Sequence, residues 1–194
     1  MIRYSLLLFV SVFAISCGST KKILVDGNTQ LQYDLILANE SLRLQINVVA
    51  TNPRSFQYIV ESQNITGSIS MTSEAEDEAT ELYHNFAGED KKLIKSTSIW
   101  LSDAVFNQLS KGLPTTISYR QGFVKNELEY KVVEKQKILY NVNGKPKSLD
   151  VLYIEDMHKK GFKIWVLNNV ENPLILRLNF GWQLILKDII NDAA

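Results

Sequence analysis

Residues 127–153, ELEYKVVEKQKILYNVNGKPKSLDVLY, carry a regular alternation of apolar and polar side chains. At the centre of the stretch, Asn143-Gly144 is a preferred hairpin dipeptide because both residues tolerate positive φ angles. The stretch therefore predicts two antiparallel strands joined by a tight turn, each with one buried face. The apolar positions are Leu128, Tyr130, Val132, Ile138, Tyr140 and Val142 before the turn, and Leu149, Val151 and Tyr153 after it.

The chain after this hairpin continues as short strands separated by turns. Residues 162–167 form a largely apolar run, and Asn172-Pro173 predicts a turn because proline cannot donate to a strand ladder. Apolar residues alternate through 174–180 and, after a turn at Gly181, again through 182–186. Successive strands with short turns predict a meander, and not strands that alternate with helices.

The N-terminal half shows the same period of two. Leu44, Ile46 and Val48 alternate with polar residues, and Asn52-Pro53 predicts the turn that follows. Further strands are predicted at residues 56–61, 65–71, 82–86 and 93–100.

The segment between the two halves contains an acidic run and the only predicted helix. Residues 73–81, SEAEDEATE, offer carboxylates that suit calcium, but their spacing does not match an EF-hand loop. We interpret this run as a solvated acidic loop. A helix is predicted over residues 102–111, because Ser102 is placed to cap its first turn and Gly112 to end it.

These elements predict a mainly β fold, an antiparallel curved sheet or half-barrel meander with one short helix, in a single domain over residues 23–190. Residues 164–167 and 184–186 are apolar on both faces, so both faces need cover. The curled sheet and its helix are one source of that cover. A hydrophobic ligand in the concavity is the other.

The N-terminus, MIRYSLLLFVSVFAISC, has the form of a bacterial export signal. Its apolar run is shorter than the roughly 20 residues needed to span a bilayer, which indicates a cleaved signal peptide over residues 1–16. Ala14-Ile15-Ser16-Cys17 resembles the bacterial lipobox, and this resemblance implies that Cys17 is acylated and anchors the mature chain. Plain cleavage and an ordinary buried cysteine are the alternatives.

Residues 17–22 then form the lipidated cysteine and a polar tether, with no acidic run directly after Cys17. In some lipoproteins an acidic run at this place resembles a surface-export tag. The lipobox resemblance, together with the absence of this acidic run, therefore implies an outer-membrane lipoprotein of the bacterial cell envelope. Its acyl chains would lie in the membrane and its domain would face the periplasm.

A second resemblance covers residues 119–188. The segments KIWV at 163–166, NPLIL at 172–176 and GWQLIL at 181–186 resemble secreted bacterial domains of DUF3108-like architecture, whose function is unknown. This resemblance implies an open antiparallel half-barrel, similar to the lipoprotein-carrier folds of the periplasm. It carries no functional residues that can be transferred.

Composition limits the partners of the chain. The 21 basic and 21 acidic residues balance, so the surface has no overall attraction for DNA or RNA, and no nucleic-acid partner is predicted. A hydrophobic content of 45% is typical of a globular protein. Because Cys17 is the only cysteine, no internal disulfide is possible.

The sequence contains no catalytic or metal-binding signature. His84 and His158 lie far apart and outside any HExxH-type pair, so we interpret them as surface or turn residues. GxSxG, Walker and GxGxxG motifs are absent from the sequence. We therefore predict a protein that is not an enzyme, with no cofactor and no metal. Paired carboxylates of the glycosidase type are the alternative, because a sequence does not give the distance between two acids.

Aromatic side chains are the candidate ligand-binding residues, because such rings can line an apolar groove for acyl chains or sugars. Aromatic residues are also common in strands, so structural packing is the alternative for each of them. The candidates are Tyr130, Tyr140, Tyr153, Trp165 and Trp182.

Three functional hypotheses follow. The first is a membrane-anchored, non-catalytic envelope lipoprotein that binds an apolar ligand or an envelope protein partner. The second is a structural subunit of an envelope complex that pairs through an exposed strand edge. The third is a hydrolase whose acids or hydroxyls assemble only in three dimensions.

Overall fold

The computed structural model describes residues 25–38, 40–158 and 161–191. The predicted signal peptide, the lipobox with Cys17 and the tether lie outside the described residues. The strands are β1 (Thr29–Leu37), β2 (Glu40–Thr51), β3 (Arg54–Val60), β4 (Ile65–Met71), β5 (Glu81–Leu82), β6 (Asp90–Leu93), β7 (Ser96–Thr97), β8 (Thr115–Gln121), β9 (Val124–Val142), β10 (Lys145–Asp156), β11 (Lys163–Leu167), β12 (Ile175–Asn179) and β13 (Gln183–Asn191). The helices are α1 (Ser73–Glu78), α2 (Asp103–Ser110) and a 3₁₀ turn (Glu61–Gln63).

The strands form one 13-stranded sheet in the order β6-β4-β3-β2-β1-β13-β12-β11-β10-β9-β8-β5-β7. Most neighbours are antiparallel, which confirms the predicted mainly β, antiparallel curved sheet. β13 also pairs in parallel with β9, where Ile189 lies opposite Val142, so β9 to β13 close into a ring. The two edge strands, β6 and β7, are consecutive in the chain. Ile94 and Lys95 join them, so the chain itself connects the two edges of the sheet.

The central hairpin is confirmed. β9 and β10 pair through a turn in which Asn143 and Gly144 have φ angles of 53° and 67°. Asn143 also accepts a hydrogen bond from the main-chain N–H of Asn191 at 2.8 Å, so the turn is fastened to the end of β13.

The prediction of a single helix is half right. α2 is present, and the Ser102 hydroxyl accepts a hydrogen bond from the N–H of Val105 as predicted. The predicted acidic loop is wrong, because residues 73–78 form α1. Thr72 caps this helix by accepting from the N–H of Ala75, and acidic residues in a first turn are favoured by the helix dipole. Glu76 of α1 is buried.

The predicted strands at 82–86 and 93–100 are largely wrong. Only the two-residue strands β5 and β7 and the end of β6 fall within them. The chain here crosses from one edge of the sheet to the other. Its main-chain groups form hydrogen bonds that do not belong to long strand ladders. For example, the N–H of Tyr83 donates to the carbonyl oxygen of Thr97 at 2.7 Å.

The two faces of the sheet differ in burial. One cross-strand row on β10 to β13 is fully buried, and we call this side the inner face. The alternate row is half-buried, and we call that side the outer face. Successive side chains of a strand point to opposite faces, which explains the alternation. The inner row is Ile154, Ile164, Leu178 and Leu184, and the outer row is Tyr153, Trp165, Arg177 and Ile185.

One end of the sheet is closed by a buried polar network. This end, where β1 begins and the β2–β3 turn lies, we call the base. The Arg54 guanidinium lies 3.5 Å from the Glu76 carboxylate and donates to the carbonyl of Glu171 at 3.0 Å. Beside it, the Trp100 indole N–H donates to the Asn172 side chain at 2.7 Å. The network therefore joins β3, α1 and the β11–β12 connection. No helix among the described residues is long and apolar enough to cross a membrane.

Candidate functional site

The opposite end of the sheet, which we call the open end, contains a pocket of about 650 Å³. This volume lies within the range of roughly 300–1,000 Å³ that is typical of small-molecule sites. Its walls come from the ends of β1 to β4, the segment 81–87, the end of β8 and the β12–β13 turn. The lining residues are Leu35, Leu37, Leu42, Val60, Gln63, Ile65, Glu81, Leu82, Tyr83, His84, Asn85, Phe86, Ala87, Arg120, Gln121, Gly122 and Trp182.

The pocket has an apolar wall and a polar wall. The apolar wall comes from the first four strands and consists of aliphatic side chains such as Leu35, Leu42 and Val60. The polar wall comes from the neighbouring strands β5 and β8, whose pairing brings Glu81 close to Arg120. The charged pair therefore lies on the side of β5 and β8, and most of the aliphatic side chains lie on the side of β1 to β4.

Glu81 and Arg120 form an ion pair on the polar wall. The guanidinium Nε–H of Arg120 donates to the Glu81 carboxylate at 3.0 Å. The side chain of Arg120 is 58% exposed and that of Glu81 is 23% exposed. Because Arg120 is largely exposed to water, we expect this ion pair to contribute only about 0–1 kcal/mol, so the contact can be exchanged for others at little cost.

His84 stacks on Trp182 at the back of the pocket. Their ring centroids are 4.8 Å apart and their planes differ by 30°. Burial lowers the pKa of His84, and a hydrogen bond with the main chain of Leu82 opposes that shift. The uncharged imidazole is therefore favoured at neutral pH. A void of about 20 Å³, which we call the inner void, lies behind the pair and reaches Ser98 and Phe180.

The segment 83–89 forms one side of the pocket and is held in place by Tyr58. The Tyr58 hydroxyl accepts a hydrogen bond from the N–H of Gly88 at 2.9 Å and lies 3.4 Å from the carbonyl of Glu89. The Tyr58 ring also meets Phe86 edge to face, with centroids 5.2 Å apart. This packing requires a glycine at 67, where a Cβ atom would lie 2.5 Å from the Tyr58 hydroxyl.

The structure does not bring the five predicted aromatic residues together. Trp182 lines the pocket. Tyr130 is fully buried beside Phe180, and burial raises the pKa of its hydroxyl. Tyr140 is half-buried on β9, and burial raises its pKa to about 12 although Arg177 lowers it.

Tyr153 and Trp165 are stacked on the outer face, away from the pocket. Their centroids are 4.9 Å apart, and the Arg177 guanidinium lies 4.8 Å from the Trp165 ring on the side of β12. Lys163 pairs with Glu155 at 3.4 Å beside them. Trp165 is thus flanked by side chains of both neighbouring strands, which favours structural packing at this position.

Several pocket residues were not predicted from the sequence. The interpretation of His84 as a surface or turn residue is wrong, because its side chain is half-buried against Trp182, whereas His158 is exposed. Glu81 and Arg120 gave no local signal, since their contact arises only from the pairing of β5 with β8. Among the described residues, no group of three or more His, Cys, Asp or Glu side chains is placed to hold a metal ion.

Comparison with known proteins gives no match to a family model, to a curated protein or to a solved structure. The resemblance to DUF3108-like domains stays a prediction.

Proposed function

We propose that this chain is a non-catalytic lipoprotein of the bacterial envelope, anchored by acylated Cys17, which binds an apolar ligand in the open-end pocket. The observation that carries the proposal is the pocket of about 650 Å³, which aliphatic side chains of β1 to β4 line on one side. Each methylene group of a ligand buried there would contribute roughly 0.8 kcal/mol to binding.

The position of the pocket supports the proposal. The described chain enters at the base, where Thr29 pairs with Asn191, and the pocket begins near the other end of β1 at Leu35 and Leu37. β1 has 9 residues. At the usual rise per residue this separates the two ends by about 30 Å. An anchor that precedes β1 would therefore leave the pocket accessible from the aqueous side.

The side chains of the pocket favour binding over hydrolysis. His84 stacks on an indole ring, and its one identified hydrogen bond is with the main chain of Leu82. Ser98, which lines the inner void, has no hydrogen-bond partner among the described residues. A nucleophilic serine needs a base within hydrogen-bond reach, and this arrangement does not supply one.

A structural subunit of an envelope complex is the second candidate. The observation in its favour is the β8–β9 turn, where Phe123 is fully exposed and Val124 is 63% exposed. The edge strand β6 does not favour strand addition, because it is short and carries Asp90, Lys91 and Lys92. Such short, charged edges resist pairing with another chain.

Native mass spectrometry of the mature chain with Cys17→Ser, secreted through a cleavable signal peptide, tests the proposal. We expect a co-purified apolar mass that is extracted into organic solvent. Leu35→Trp fills the pocket and should abolish this mass, whereas Val49→Trp, at an exposed position of β2 outside the pocket, should retain it. A clean ligand-free mass for all three proteins, with no uptake of added alkyl amphiphiles, would overturn the proposal.

A further inference from the structure

The charges that line the pocket cancel. Of the described lining residues, Glu81 and Arg120 are the only acidic and basic ones, and their side chains are 3.0 Å apart. The pocket therefore presents one negative and one positive group side by side. Its net charge is zero.

His84 does not alter this balance at neutral pH. Its ring is stacked on Trp182, and burial favours the uncharged form. The remaining polar lining residues, Gln63, Tyr83, Asn85 and Gln121, supply hydrogen-bonding groups without charge at this pH. A ligand thus meets an aliphatic wall on one side and a balanced pair of charges on the other.

We propose that the ligand is an amphiphile with a zwitterionic head group, whose anionic group binds Arg120 and whose cationic group binds Glu81. Its apolar chain lies along Leu35, Leu42 and Val60. This inference rests on the proposed function and names the ligand class of the same pocket.

The physical reason is charge compensation. A zwitterion exchanges the weak Glu81–Arg120 contact for two ion pairs and leaves no charge unpaired. An anionic head at Arg120 would instead displace Glu81 and face its carboxylate across a few ångströms. A cationic head at Glu81 would face the guanidinium in the same way. Like charges placed together in a site select against such ligands.

Arg120 is suited to the anionic group. A guanidinium has five N–H donors in a planar fork, and only its Nε–H donates to Glu81. The terminal nitrogens match the geometry of a phosphate or carboxylate group. Glu81 in turn accepts hydrogen bonds from a primary ammonium group.

The test compares three ligands with the same tail, namely myristoyl lysophosphatidylethanolamine, myristate and tetradecylammonium, each below its micellar concentration and at neutral pH. Affinities are measured by isothermal titration calorimetry on the mature chain with Cys17→Ser. We expect the lysolipid to bind about tenfold more tightly than either charged ligand, as expected for one uncompensated charge at a partly exposed site.

Charge-neutralising variants sharpen the test. Glu81→Gln leaves a net positive pocket, so myristate should gain affinity and the lysolipid should lose it. Arg120→Gln leaves a net negative pocket, so tetradecylammonium should gain instead. The matched controls are Lys137→Gln and Asp150→Asn, which alter an exposed ion pair of 3.8 Å between β9 and β10 outside the pocket and should change no preference. Circular dichroism and thermal unfolding confirm that each variant is folded.

The outcomes separate the two proposals. If none of the three ligands binds the parent protein, the apolar-ligand function itself is refuted for this pocket. If ligands bind but either myristate or tetradecylammonium binds as tightly as the lysolipid, the zwitterion is refuted and the apolar-ligand function stands. The same conclusion follows if the two neutralising variants do not shift preference in opposite directions.

Discussion

The imidazole ring of His84 lies almost parallel to the indole ring of Trp182, with centroids 4.8 Å apart and an interplanar angle of 30°. Both side chains line the pocket as well as the inner void behind it. The stacked pair, together with Leu82, Tyr83 and Phe86, therefore separates a space of about 650 Å³ from one of about 20 Å³.

Removal of the indole should join the two spaces. In Trp182→Ala we expect the preferred chain length of bound alkyl amphiphiles to increase, because the void that reaches Phe180 becomes part of the pocket. Native mass spectrometry with a series of chain lengths measures this. Trp165→Ala removes a stacked, half-buried indole from the outer face and is the control. Equal chain-length preferences in both variants would contradict the partition.

Burial of His84 should make stability depend on pH. Its pKa is lowered in the folded state, so between that value and the ordinary value of about 6.5 the unfolded chain binds the additional proton. The contribution to stability is therefore complete above pH of about 6.5 and is lost as the pH falls towards the folded pKa.

Urea unfolding between pH 5.5 and 7.5 tests this expectation. His84→Gln should flatten the fall in unfolding free energy towards low pH, and Glu81 and Arg120, the charged groups of the same pocket, are unchanged in the variant. His158→Gln, at an exposed position, is the control for loss of an imidazole. If the unfolding free energy changed with pH equally in the parent and in His84→Gln, protonation of His84 would not contribute to the pH dependence of stability.

Loss of one partner of the buried pair at the base should be costly. Arg54 and Glu76 are 3.5 Å apart, with side chains only 9% and 10% exposed. Burial raises the pKa of Glu76, and the main-chain N–H and the guanidinium of Arg54 oppose that shift. Arg54→Met keeps the main-chain N–H of residue 54 but removes the guanidinium, so the buried carboxyl group loses its ion-pair partner. We expect a loss of about 3 kcal/mol in unfolding free energy.

A double-mutant cycle measures the coupling of this pair. Arg54→Met combined with Glu76→Gln should cost less than the sum of the two single changes, because neither then leaves a buried charge unpaired. The control is Lys137→Met, which removes a partner of Asp150 in an exposed pair and should cost less than about 0.5 kcal/mol. Additive costs at Arg54 and Glu76 would be evidence against a coupled pair.

Gly67 should tolerate no side chain. A Cβ atom there would lie 2.5 Å from the Tyr58 hydroxyl and 2.7 Å from the carbonyl oxygen of Glu89. Gly67→Ala must therefore displace the segment 83–89, at a cost of about 1–3 kcal/mol. Chemical denaturation gives the cost, and Thr66→Ala, at the exposed neighbouring position, should change stability by less than about 0.5 kcal/mol. A neutral Gly67→Ala would mean that this wall of the pocket moves freely.

Acylation of Cys17 should decide where the chain resides. Because each buried methylene of an acyl chain adds roughly 0.8 kcal/mol, two or more chains hold a domain at the membrane. With Cys17→Ser we expect loss of labelling by an alkynyl palmitate and release of the chain from the membrane fraction, whereas Ser19→Ala should retain both. Labelling that survives in Cys17→Ser would refute the anchor.

Much of the fold was predictable because its signals are local. The alternation around Asn143-Gly144 predicts the β9–β10 hairpin, and Ser102 with Gly112 predicts α2 to within a residue at each end. α1 was missed because its carboxylates are typical of a solvated loop. Glu76 is the carboxylate of this helix that is buried, and its partner Arg54 lies 22 residues away in the sequence.

The candidate site was much less predictable. Of the five aromatic residues that the sequence nominates, only Trp182 lines the pocket. The other four have the same residue types and the same alternation, since period two separates the faces of a strand but does not say which face is concave or where the sheet ends. Tyr153 and Trp165 therefore gave the same signal as a pocket residue and lie on the outer face.

The amino-acid sequence by itself determined the strand period, the turns and the cap of α2, because each of these depends on residues adjacent in the chain. Only the tertiary structure decided that Leu35, Glu81, Arg120 and Trp182 share one pocket. These residues come from distant parts of the chain, and strand pairing together with the closure of β13 on β9 brings them to one end of the sheet. The burial of the pocket residues, the charge balance of the pocket and the pKa of His84 all depend on this assembly. Each is set by neighbours that come from several segments of the chain.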